Sequence, residues 1–157
     1  MADVLSELKR VAAAMSGAGL EGVLIGNAAA ALQGAPVATT DLDFFVRAGP
    51  RNKKKVLAVA EALGGYAIQP LAPVSYMYRI EGVVFPVDLV TVAHGIRSFN
   101  GLRARATVLP LGSGRAIYVA ALQDVIKSKR AAARPKDLAS LYILERTFDE
   151  KERKEKA

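Results

Sequence analysis

The sequence predicts one α/β unit, a mixed β-sheet with flanking helices that is closed by C-terminal helices. Helical stretches with apolar residues three and four apart alternate with short β-branched runs. Two pairs of those runs meet at glycine-containing turns, Glu81-Gly82 and Gly112-Ser113-Gly114, so hairpins interleave with helices and the sheet is mixed. No internal repeat or low-complexity linker divides the 157 residues, a length that buries one core but not two. We therefore expect a single domain over residues 1–148, followed by a charged tail at 149–157 that frays.

Val4, Leu5, Leu8, Val11, Ala12 and Met15 recur at helical spacing and predict a helix over residues 3–16, ended by Gly17 and Gly19. Residues 22–25 read as a short buried strand stopped by Gly26, and Asn27 is a good N-cap for a helix over 28–33. Gly34-Ala35-Pro36 breaks that helix before a strand at about residues 40–47. After the Gly49-Pro50 turn, residues 52–63 form an amphipathic helix with Val56, Leu57, Ala60 and Leu63 inward, closed by Gly64-Gly65. Residues 66–68 suit a short strand, and residues 75–80 and 83–91 flank Glu81-Gly82 as a hairpin. Residues 93–103 read as a loop with a short helix. Strands at 104–109 and 115–119 follow, then a helix over 121–133 and a last one opened by Pro135 through about Phe148.

Three carboxylates interrupt these apolar runs. Asp41 and Asp43 lie in Thr39-Thr40-Asp41-Leu42-Asp43-Phe44, and Asp88 lies in Phe85-Pro86-Val87-Asp88-Leu89-Val90. Side chains alternate along a strand, so Asp41 and Asp43 share a face while Leu42 and Phe44 point into the core. Two charges side by side on a half-buried strand repel each other and resist desolvation. A divalent cation relieves both, and hard oxygen ligands in this pattern suit Mg²⁺. Two structural alternatives stand beside that reading. The pair Asp41/Asp43 serves as a strand cap plus a surface acid, or Asp88 is ion-paired to a base such as Arg79. The lone His94 reads as structural, and Tyr76 and Tyr78 either pack or stack a base.

The formal charge of +7 favours an anionic partner such as a nucleotide, RNA, DNA or an acidic protein. Arg51, Lys53, Lys54 and Lys55 form one basic cluster, read as a solvated helix face; Lys127, Lys129, Arg130, Arg134 and Lys136 form another. No apolar stretch reaches the roughly 20 residues of a spanning helix, so no membrane role is expected. The absence of cysteine and of a basic-then-apolar leader fits a cytoplasmic protein.

In order, the chain presents a strand ending in Gly26-Asn27, a short helix, Thr40-Asp41-Leu42-Asp43 and a later strand bearing Asp88. Leu122-Gln123-Asp124-Val125-Ile126-Lys127-Ser128-Lys129 and Arg134-Pro135-Lys136-Asp137-Leu138 close it. This set resembles the nucleotidyltransferase superfamily, whose fold is shared with DNA polymerase beta, and within it the small branch that includes AbiE-type toxins. The resemblance covers about residues 22–144 and implies a nucleotidyltransferase fold. It also implies catalytic and metal-holding roles for Asp41, Asp43 and Asp88, with one or two Mg²⁺ ions as cofactor and an NTP as substrate. Gly26, Asn27, Thr40 and Lys129 are the implied nucleotide-binding residues. Gly26 lets backbone approach a phosphate, and Lys129 faces phosphates as a point charge. Asp137 is expected to order the C-terminal helices against Lys136 or Arg134.

The implied activity is transfer of a nucleoside monophosphate to a hydroxyl on RNA, protein or a small molecule such as an aminoglycoside. A partner protein, as in a toxin–antitoxin system, or the acceptor itself is expected to supply the specificity. Asn27 replaces the second Gly or Ser of the family pattern, and Pro36-Val37-Ala38 stands where many relatives carry an arginine. Those departures keep a second function open: a catalytically weak or inactive regulator that binds nucleotide or a partner. A basic RNA- or DNA-binding module without nucleotide chemistry ranks third, because three converging acids repel a polyanion.

Overall fold

A computed structural model of the protein describes residues 3–69 and 77–156. The first helix, α1, spans Val4–Ala18; Asp3 caps it by accepting from the Leu5 N–H, and Gly19 ends it at φ 69°. Gly17 lies inside it. Strand β1 (Gly22–Ile25) leads directly into α2 (Gly26–Leu32). Asn27 is therefore inside the helix rather than its cap, a position taken by Ile25 without a side-chain bond. Strand β2 (Leu42–Val46) begins after Asp41, and α3 (Asn52–Ala62) follows.

Next come β3 (Tyr66–Ile68), β4 (Met77–Glu81), β5 (Val87–Val90), α4 (Phe99–Arg105), β6 (Thr107–Gly112) and β7 (Arg115–Val119). The chain closes with α5 (Leu122–Ala132) and α6 (Pro135–Lys156). The expected β4 starts earlier, so its first residues and Tyr76 lie outside the described residues. The charged segment after Phe148, expected to fray, continues α6 to Lys156. Its Lys151 ammonium donates to the Gln33 carbonyl at 2.9 Å, which anchors the segment to the end of α2.

Among the described residues seven strands form one mixed sheet in the order β3-β4-β5-β2-β1-β7-β6. β2 runs antiparallel to β1 and parallel to β5. The β4–β5 connection is longer than the two-residue turn the sequence suggested. A Glu81-Gly82 turn puts Ile80 opposite Val83, and hence Ser75 opposite Asp88. In the structure Ile80 pairs with Val87, and Arg79 stands opposite Asp88. The shift is even, so every side chain keeps its face while its neighbour changes.

One sheet face is apolar: Leu24, Leu42, Phe44, Ile80 and Leu89 are all at most 1% exposed. Met15 of α1 reaches this face at Gly22, where an added Cβ would meet its methyl at 2.7 Å and push that flexible side chain aside. Helix α3 turns Val56, Val59 and Ala60 inward, but Leu57, expected inward, is 51% exposed. Val59 takes the inward place instead.

The two positions test this packing in urea melts. Phe44→Ala is expected to lower stability by about 3–5 kcal/mol. Leu57→Ala, on the helix that looked equally apolar, is expected to stay within about 0.5 kcal/mol.

Candidate active site

The opposite face of the sheet carries the acids. Parallel pairing of β2 with β5 puts Asp43 in register with Asp88, and Asp41 lies just before β2. Each of the three offers an oxygen within 4.8 Å of the others, so acids from two separate segments converge. Their surroundings differ: Asp88 is buried, Asp43 half-buried, and the Asp41 side chain 35% exposed. Burial, a hydrogen bond to Asp88 and the charges of Asp88 and Asp41 push Asp43 up to about 7, against a smaller pull from Lys136. Burial likewise raises Asp88, opposed by its bond to Asp43 and by Arg79. In the metal-free protein this pair holds a proton near neutrality.

Arg79, on the strand beside Asp88, is the cation nearest the acids. Its Nη1 donates to both Asp88 oxygens at 3.2 and 3.1 Å, and Nη2 donates to Asp41 Oδ1 at 3.4 Å. Its Nε donates to Glu81 at 2.7 Å. Both alternatives for Asp88 thus hold together, because it belongs to the acid cluster and is ion-paired to Arg79. Asp43 makes no ion pair among the described residues. Three hard-oxygen donors with one acid left unpaired and crowded fit Mg²⁺.

Gly26 has a role beyond the one expected of it. It sits at φ +68°, and an added Cβ falls 2.6 Å from Asp43 Oδ2. The close approach it permits is to the carboxylate. Asn27 contributes differently as well: its Nδ2 donates to the Ala38 carbonyl at 3.3 Å, and its Oδ1 is buried without a partner. The free oxygen is an acceptor, and one of the two amide N–H donors is committed to Ala38. Thr40 is exposed at the edge of the same cavity.

That cavity, about 550 Å³, has a volume suited to a small-molecule ligand. The acids and Arg79 line one part of it; Lys129, Arg134 and Lys136, from the junction of α5 and α6, line another. Lys129 is 3.7 Å from Asp137 and mostly buried, and burial lowers its pKa against the pull of Asp137. Asp137 is fully buried; burial pushes it up, but hydrogen bonds from the Arg134 side chain and backbone prevail and hold it low. Its partners are Arg134 and Lys129, and no ion pair joins it to Lys136 among the described residues. His94 also lines the cavity.

Sequence reasoning offered Arg79 as a partner for Asp88 and placed Lys129 at the phosphates, but gave Arg134 and Lys136 no place in the site. The Arg134-Pro135-Lys136-Asp137 run signals a helix start, and it is the fold that brings the bases flanking Pro135 to the cavity edge.

No protein-family model matches the sequence, and comparison with curated proteins found no match. Among solved structures, the antibiotic-resistance factor ANT(2'')-Ia is similar. Its solution structure aligns at a TM-score of 0.62 with 17% identity, over 89% of this chain and 81% of that one. Its crystal structure in complex with adenylyl-2''-tobramycin gives 0.60 and 17%, over 89% and 86%. The chain therefore has the nucleotidyltransferase fold.

Two measurements test the site. Gly26→Ala forces a strained φ and drives a methyl into Asp43, so its melting temperature is expected to fall by several degrees, corresponding to about 1–3 kcal/mol. The second test is pH. Asp43 titrates higher folded, at about 7, than at its reference value of 3.8. Between those values the folded state binds the extra proton, so stability falls as pH rises and levels off above the folded value. Metal-free protein is expected to be more stable at about pH 5.5 than at about pH 8, by on the order of 2 kcal/mol. Asp43→Asn should flatten that profile.

Proposed function

We propose that this protein is a Mg²⁺-dependent nucleotidyltransferase that moves a nucleoside monophosphate from an NTP to a hydroxyl group. The acceptor oxygen bonds to the α-phosphorus, the α–β phosphoanhydride bond breaks, and pyrophosphate leaves. One observation carries the reading: Asp41, Asp43 and Asp88 meet within 4.8 Å at a cavity also lined by Lys129, Arg134 and Lys136. Asp41, Asp43 and Asp88 would hold Mg²⁺, which when bound offsets phosphate charge. Asp88 either completes that site or accepts the proton of the attacking hydroxyl. Lys136 and Arg134 supply positive charge facing the acids and stand in for the arginine missing near Val37. Gly26 keeps Asp43 in place, and Thr40 and Lys129 line the nucleotide side.

The charge of +7 favours RNA or an acidic protein as acceptor, in a toxin–antitoxin-type role with a partner protein, as in the AbiE branch. The complex of ANT(2'')-Ia with adenylyl-2''-tobramycin supports a small molecule as the alternative acceptor. A second reading, a regulator that binds nucleotide without turnover, is favoured by Arg79 already neutralising part of the acid site.

Purified protein incubated with each labelled NTP and Mg²⁺, with RNA, cell extract or aminoglycoside as acceptor, separates the two. Label transfer with pyrophosphate release is expected, and Asp43→Ala should reduce it by about a hundredfold or more. Saturable nucleotide binding without transfer to any acceptor supports the regulator instead.

A further inference from the structure

Arg79 contacts two of the three acids that could hold a divalent cation. Its guanidinium covers both oxygens of Asp88 and one oxygen of Asp41, two of the three candidate ligands, and leaves Asp43 uncovered. The contact is built into the sheet, because β4–β5 register sets Arg79 directly opposite Asp88. The Arg79 and Asp88 side chains are only 25% and 11% exposed, so solvent screens their attraction less than at an open surface. Glu81, two residues along the same strand and on the same face, holds the Nε edge of the same guanidinium at 2.7 Å. Arg79 thus has a second anchor that does not belong to the acid cluster.

We propose that Arg79 is a resident counter-cation that competes with a divalent metal for Asp88 and Asp41, and that metal enters by exchange as Arg79 withdraws onto Glu81. This rests on the metal-holding role given to the three acids above. Without metal, Arg79 offsets the charge that the apposed carboxylates concentrate. With metal, two cations compete for the same oxygens, and a planar fork bound to Glu81 moves by rotating its own side chain. Metal affinity is then set by the Arg79–Glu81 pair as well as by the ligands.

Mn²⁺ binding to the full chain, measured by calorimetry and by the electron paramagnetic resonance signal of free Mn²⁺, tests this without any turnover. Arg79→Gln is expected to bind Mn²⁺ about tenfold or more tightly than the native chain, because a charged hydrogen-bond competitor is gone. Arg79→Lys, which keeps the charge and loses the fork, should fall between them and provides a folded comparison if the glutamine variant is unstable. Glu81→Gln removes the second anchor and should weaken Mn²⁺ binding by about threefold. In the Arg79→Gln background the same Glu81 change should have little effect, since it acts through Arg79.

Equal or weaker Mn²⁺ binding by both Arg79 variants overturns the exchange. So does a Glu81 effect that is unchanged when Arg79 is absent. Asp43→Ala separates this failure from failure of the site itself. If Mn²⁺ binding is lost in Asp43→Ala but indifferent to Arg79, the acid site stands and the exchange falls. If no variant binds Mn²⁺, or binding survives Asp43→Ala, both fall.

Discussion

The apposition of Asp43 and Asp88 is the constraint around which this protein is arranged. Parallel pairing of β2 with β5 gives the two carboxylates no freedom to separate along the strands. The pairing is held in turn by the other face, where Leu42, Phe44 and Leu89 are almost fully removed from water. Slipping the register by one residue would put the acids into that apolar layer and the apolar residues into the cavity. Burial of hydrocarbon on one side thus enforces electrostatic crowding on the other.

Several features relieve that crowding. Arg79 covers the Asp88 and Asp41 side, protonation relieves the Asp43 side, and Lys136 offsets part of the negative potential. Gly26 contributes by having no side chain, since a methyl there would meet the Asp43 carboxylate. The buried Asp137 carries the same logic to the helical wall. Arg134 and Lys129 neutralise it, which fixes how α5 turns into α6 and keeps both bases at the cavity edge.

The positions of Asn27 and Arg79 give the site its individual character. With the Asn27 amide nitrogen tied to Ala38, the orphaned oxygen faces inward as an acceptor where a small residue would leave space. Arg79 supplies a cation from the sheet itself. Charge at this centre therefore comes from β4 and from the α5–α6 junction, not from the segment before Asp41.

Much of this was legible in the order of residues. Alternation of apolar and acidic side chains marked Asp41, Asp43 and Asp88, because strand periodicity is local and a carboxylate in an apolar run stands out. Helix positions followed from spacing for the same reason, with ends displaced by a few residues where caps such as Ile25 carry no signature. Leu57 was misread because an apolar residue at helical spacing does not reveal how wide the buried stripe is. The longer β4–β5 connection was hidden because Glu81-Gly82 by itself satisfies a tight turn. Local chemistry could therefore name the acids and the kind of fold that holds them. Which cation faces them, and how far Asp43 is pushed from its usual titration, depend on register, burial and long-range packing, quantities that exist only once distant segments have been brought together.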